Sequence, residues 1–268
     1  MNYTTPLRKW VFALSFICAL PAFADKSTDE IARYRAMIAD GNPSELFAAK
    51  GEDLWKEVRG PKKASLLQCD LGLGPGVVKG ASARLPRFFK DTGKVQDLES
   101  RLLTCMETLQ GIDPKTVING KWGKGELENV EALVAYIVTE SNGEKIQVDM
   151  KDPAMKKFYK LGETAFFYRA GPMDFSCATC HGDDKKRIRL QDLPNITKPE
   201  GAAAGWGSWP AYRVSSGEFW TMQHRLNDCY RQQRFPEPIY ASDVTIALSV
   251  YMAAKANGGT VLTPGLKR

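Results

Sequence analysis

The run Cys177-Ala178-Thr179-Cys180-His181 constrains this chain more than any other. Two thiols at this spacing can add to the two vinyl groups of one haem, and the adjacent histidine can then reach the iron as proximal ligand. The same letters suit a thioredoxin-like redox pair, but that pair expects a βαβ setting, and the flanking residues here read as helical. Zinc would need a second ligand pair at suitable spacing, and none is present; His181 and His224 are the only histidines. The motif predicts one covalently bound haem c, attached through Cys177 and Cys180 with His181 on the metal.

The opening residues read as an export address. Arg8 and Lys9 precede an apolar run from Trp10 to Leu20, and Ala22-Phe23-Ala24 supplies the small residues of a cleavage site. The run is short for a membrane span, so residues 1–24 are expected to be a signal peptide that leaves with Cys18. Five cysteines then reach an oxidising compartment, and an odd count leaves one thiol with a separate job.

A degraded repeat sets the architecture. Ala132-Leu133-Val134-Ala135-Tyr136 with Asn142-Gly143 recurs as Ala247-Leu248-Ser249-Val250-Tyr251 with Asn257-Gly258, and Arg101 to Cys105 answers to Arg225 to Cys229. Both copies read as amphipathic helices with a glycine stop. The 268 residues, 43% hydrophobic and 25% charged, suit one large domain or two small ones. The expectation is a mainly α chain of two similar helical halves, 25–150 and 151–268, dividing near the polar stretch Ser141–Pro153. Gly162 and Phe166 share one helix face, and the helix from Ala247 to Lys255 is their natural partner, with Tyr251 in the packing position. Gly72-Leu73-Gly74-Pro75-Gly76 lacks the Lys-Ser/Thr of a phosphate-binding loop and reads as an irregular turn. The formal charge of +6 is spread without a long basic block. That pattern does not indicate nucleic acid, but it can draw small anions toward a cleft.

The other axial position decides what such a haem does. Met173, Met222 and Met252 are the thioether candidates, with Met173 and Met252 poorly placed, and His224 remains possible. Cys229 is the sharper choice, being the unpaired thiol if Cys69 and Cys105 are joined. Its surroundings are basic, with His224, Arg225, Arg231 and Arg234. Arg225 stands four residues earlier, on the same face if the stretch is helical. Neighbouring cations favour a thiolate and offer fixed donors to an oxyanion.

Cys69-Asp70-Leu71-Gly72-Leu73-Gly74-Pro75-Gly76, Leu98 to Cys105, the C-x-x-C-H run and Asp228-Cys229-Tyr230-Arg231-Gln232 together resemble the SoxA cytochromes. The resemblance covers nearly all of the mature chain. It implies two cytochrome c-like helical domains, the first without haem, in a periplasmic L-cysteine S-thiosulfotransferase. Such an enzyme joins thiosulfate oxidatively to a cysteine of the SoxY carrier protein and passes electrons to haem, with the small cytochrome SoxX as partner. The resemblance further implies that Cys229 is both haem ligand and catalytic sulfur carrier, and that Arg225 contacts substrate. Many members carry a second C-x-x-C-H in the first half. Here there is none, which implies the monohaem type and leaves Cys69 and Cys105 for a disulfide. Two other readings stand beside it: a monohaem electron carrier using Met222 or His224, and a thiosulfate dehydrogenase that forms tetrathionate.

Overall fold

A computed structural model describes residues 41–188 and 191–268. The expected export segment 1–24 and Cys18 lie outside the described residues. Helix α1 (Ser44–Lys56) leads into a loop in which Gly72, Gly74 and Gly76 all take positive φ. Asp70 closes that loop, its Oδ1 accepting the N–H groups of Gly72 and Gly74 at 2.6 and 2.9 Å. The glycine run is thus the irregular turn expected of it. Strands β1 (Arg87–Phe89) and β2 (Lys94–Gln96) form a hairpin, and Asp97 caps α2 (Leu98–Cys105) by accepting the Ser100 N–H at 2.9 Å. Short α3 (Pro114–Ile118) precedes α4 (Gly125–Thr139), which buries Leu127, Val130, Leu133, Val134, Ile137 and Val138 at helical spacing.

The second half repeats this order. Helix α5 (Pro153–Phe167) is followed by α6 (Cys177–His181), a short ladder of β3 (Arg187–Ile188) and β4 (Gln191–Asp192), and α7 (Pro199–Trp206). A hairpin of β5 (Ala211–Arg213) and β6 (Glu218–Trp220) then delivers the chain to α8 (Met222–Gln232), capped by Thr221, and to α9 (Asp243–Lys255). Strand β7 (Gly265–Lys267) pairs parallel to β5. The chain is mainly α, as expected. Among the described residues no helix is long and apolar enough to cross a membrane.

Each half has its own helix crossing. A Cβ added at Gly162 would stand 2.0 Å from the carbonyl oxygen of Ala247, so α5 meets α9 backbone to backbone, and only glycine fits. Tyr251 packs against Phe166 with ring centroids 5.1 Å apart, the placement its sequence position suggested. The first half does the same with Gly51 of α1, where an added Cβ would stand 2.0 Å from the carbonyl oxygen of Ala132 on α4. That twin was not read in the sequence. One buried cluster gathers around Trp55, Leu102, Leu133 and Ile137, the other around Phe166, Leu248, Val250 and Tyr251.

The two repeat helices are closed by each other's tails. Gly143 and Gly258, both at φ 85°, turn the chain beyond α4 and α9. The Gly143 N–H donates to Val261 O at 2.8 Å, and the Gly258 N–H donates to Ile146 O at 2.9 Å. Ile146 N–H to Gly259 O and Val261 N–H to Glu144 O complete a reciprocal set. Backbone groups of the turns that follow α4 and α9 are thus satisfied by the opposite half.

Candidate haem and thiol site

The C-x-x-C-H run forms its own short helix. Ser176 and Thr179 cap α6 reciprocally: Thr179 N–H donates to Ser176 Oγ at 3.2 Å, and Ser176 N–H donates to Thr179 Oγ1 at 2.9 Å. Cys177 and Cys180, three apart, therefore share one side of that helix. The His181 Nδ1 lies 2.9 Å from the carbonyl oxygen of Pro194. A carbonyl can only accept, so Nδ1 carries the proton and Nε2 is left as the coordinating atom. Burial also lowers the His181 pKa, with Arg225 adding to the effect, and the neutral imidazole is the metal-binding form. Among the described residues the free cysteines are Cys177, Cys180 and Cys229. Two thiols on one face, an imidazole fixed through its other nitrogen and a third, partly buried thiol nearby fit a haem c.

Helix α8 presents the third thiol. Thr221 Oγ1 accepts the His224 N–H at 3.1 Å and starts the helix, so Arg225 and Cys229 lie one turn apart on one face. The two α6 thiols and Cys229 lie close enough that Cys229 disfavours ionisation of Cys177, and Cys180 disfavours that of Cys229. Gln233 Nε2 donates to the Cys229 carbonyl oxygen at 3.2 Å, and Gln233 lies near enough to Cys177 to favour its thiolate.

The electrostatics differ from the sequence expectation in one respect. Burial raises the Cys229 pKa, and the opposing pull of Arg225 and Arg213 does not outweigh it. Burial likewise pushes the Cys177 thiol up to about 12. A buried thiolate here needs more than neighbouring cations, and coordination to a metal supplies it outright. The basic cluster also disperses. Arg234 is exposed and Arg231 pairs with Asp228. His224 is stacked between Trp122 and Trp220, with centroids 4.1 and 4.2 Å away. Its Nδ1 faces Glu131 of the first half at 3.8 Å.

Several residues of the site were given no role in the sequence reading. Asp228, buried, holds Arg225 Nη1 at 2.9 Å and Gln232 Nε2 at 2.6 Å as well as Arg231. Its adjacency to Cys229 was the available signal. Trp209 lies under the Arg225 guanidinium at 5.6 Å. Arg213 reaches Cys229 electrostatically from β5, a placement that strand pairing creates and sequence spacing does not show.

The first half holds a disulfide at the matching place. Cys69 is bonded to Cys105, the pairing the resemblance implied. Counted from Gly51 and Gly162, Cys69 stands where Cys180 stands and Asp70 where His181 stands. Counted from the caps Asp97 and Thr221, Cys105 stands where Cys229 stands. The bond thus joins the counterparts of an attachment cysteine and of the proposed ligand.

The family model described as SoxA/TsdA, cytochrome c domain, matches residues 50–146, the half without the C-x-x-C-H letters. The L-cysteine S-thiosulfotransferase subunit SoxA of Hydrogenophilus thermoluteolus is 65% identical over 273 residues, covering 98% of this chain and 100% of that one. A SoxA subunit of Hydrogenobacter thermophilus is 37% identical over 84% of this chain and 82% of its own. The crystal structure of SoxXA from P. pantotrophus superimposes with a TM-score of 0.69 at 25% identity, covering 85% of this chain and 79% of that one. Likeness at this level along the whole length places the chain in the SoxA family of cytochrome c subunits.

Proposed function

We propose that this chain is the monohaem type of SoxA subunit, an L-cysteine S-thiosulfotransferase of the periplasm that couples thiosulfate to a cysteine of a SoxY-type carrier protein. The division into a first half without haem (25–150) and a second half with it (151–268) belongs to the same proposal, as do a SoxX-type partner and removal of residues 1–24. The observation that carries it is the sorting of the cysteines. Cys69 and Cys105 are consumed in a disulfide, while Cys177, Cys180 and Cys229 remain free around His181.

Cys177 and Cys180 would attach the single haem c, and His181 and Cys229 would hold its iron. Haem c supplies a one-electron acceptor when bound, so a haem on the SoxX-type partner provides the second place or the exit route. Arg225, oriented by Asp228 and backed by Trp209, would hold the sulfonate end of thiosulfate and turn its outer sulfur toward Cys229. Cys229 would carry sulfur in the transfer. Joining a thiol to thiosulfate forms one S–S bond and releases two electrons and one proton. The lodging of His224 between two indoles, facing the first half, argues against the plain electron-carrier reading with His224 as ligand.

The test is Cys229→Ala. The variant should retain one haem adduct by mass spectrometry, change the ferric electron paramagnetic resonance spectrum and lose thiosulfate-dependent modification of the carrier cysteine. Normal coupling in Cys229→Ala would leave an electron carrier and end this reading.

A further inference from the structure

We propose that Asp97 and Glu99, both in the first half, are positioning residues for the site in the second. They hold the first turn of α8 and so fix where Arg225 and Cys229 stand. This rests on the reading of Arg225 and Cys229 given above.

The contacts are specific and buried. Gln223, the second residue of α8, donates its backbone N–H to Glu99 Oε1 at 3.0 Å and its side-chain Nε2 to Asp97 Oδ2 at 2.6 Å. The other oxygen of Glu99 accepts from Tyr240 Oη at 2.8 Å, and the Ala241 N–H donates to Gln223 Oε1 at 3.3 Å. The same two acidic side chains thus grip the turn before α8's active face and the loop after it. Asp97, Glu99 and Gln223 are each at most 5% exposed. An acceptor at a helix N-terminus meets N–H groups that have no partner within the helix.

Packing acts beside these bonds, since His224 of the same turn is stacked between Trp122 and Trp220. A cavity lined by Leu85, Trp209, Met222 and Ser249, with Asp97 and Glu99 on its wall, lies beside the start of α8. At Gln223 that turn is held by direct, directional bonds to Asp97 and Glu99. Gln223 is two residues from Arg225, and Trp209 lies under the Arg225 guanidinium, so a shift of that turn moves the anion contact directly. Misplacement by about 1 Å can cost up to about a hundredfold in rate. The arrangement also gives the half without the C-x-x-C-H letters a part in the chemistry.

The experiment compares Glu99→Ala, Glu99→Gln and Gln223→Leu in the purified holoprotein, reading kcat and KM for thiosulfate, the ferric resonance spectrum and Tm. Glu99→Ala should keep its covalent haem, lose roughly tenfold in kcat and shift the ferric g-values. Glu99→Gln, which keeps an acceptor oxygen in the same place, should restore both. Gln223→Leu should mimic Glu99→Ala, and it serves alone if Glu99→Ala does not accumulate. Wild-type kcat and g-values with only a lower Tm would overturn the proposal. Cys229→Ala is measured alongside. Normal coupling in that variant defeats the reading of the site, whereas an inactive Cys229→Ala with unaffected Glu99→Ala defeats the positioning role alone.

Discussion

Asp228 holds Arg225 at 2.9 Å from one turn further along the same helix, and both lie beside Cys229. The pair is partly shielded, the carboxylate more than the guanidinium, so it orients Arg225 more firmly than an exposed ion pair would. Arg225→Ala should cost roughly ten- to 150-fold in kcat/KM for thiosulfate and leave the ferric spectrum nearly unchanged. Asp228→Ala keeps the cation but frees it. Its kcat should fall about tenfold with a smaller change in KM, as steady-state kinetics would show.

The disulfide makes a separate claim on stability. Cys69 and Cys105 close a loop of 36 residues, worth about 3–4 kcal/mol in the chain-entropy model. Replacing both by serine should lower the denaturation midpoint accordingly while leaving haem content and thiosulfate kinetics intact. A loss of haem on that change would contradict the separation of the two cysteine sets.

The twin crossings allow a matched comparison. Gly51→Ala and Gly162→Ala each drive a methyl group into a carbonyl on the facing helix, and overpacking of this kind costs about 1–3 kcal/mol or more. Both should lower Tm. Only Gly162→Ala, in the half that carries α6, should reduce the haem absorbance per mole of purified chain.

Acid-base behaviour at the contact between the halves gives a fourth expectation. Burial, aided by the charge of Asp97, raises Glu99 to about 8, and burial with the charge of Glu99 raises Glu131 to about 8. Hydrogen bonds from Gln223, Tyr240 and Gly123 oppose these shifts. Burial lowers His224 to about 4. The folded state keeps protons on the two acids that the unfolded chain gives up above about 4.5, so their contribution fades as pH rises toward 8. His224 works the other way, stabilising the fold as pH rises from about 4 to 6.5. Above pH 6.5 only the acids act, and stability should fall toward pH 8 by about 1 kcal/mol per pH unit for each. Glu99→Gln with Glu131→Gln should flatten the Tm profile in that window.

Local pattern carried the sequence reading a long way. The α5–α9 crossing followed from Gly162, Phe166 and Tyr251 at helical spacing, and the shared face of Arg225 and Cys229 followed once that stretch proved helical. What was missed depends on long-range pairing. Gln223 meets Asp97 and Glu99 across more than 120 residues, and strand pairing brings Arg213 toward Cys229. Arg225 does favour the Cys229 thiolate, as its spacing suggested, but the opposing effect of burial, which is the larger, is not contained in a count of neighbouring cations.

Asp70 to Leu85 corresponds to the longer stretch from His181 to Trp209, counted from the same glycines and helix caps. That longer stretch contains Pro194, which anchors the His181 ring, and all of α7. The first half is therefore short of scaffolding as well as of letters. Writing Leu66→Cys and Asp70→His into it would restore the C-x-x-C-H letters but not the stretch that contains Pro194 and α7. With Cys69 already bonded to Cys105, those two substitutions alone would also leave one of the two thiols of the new run tied to another helix.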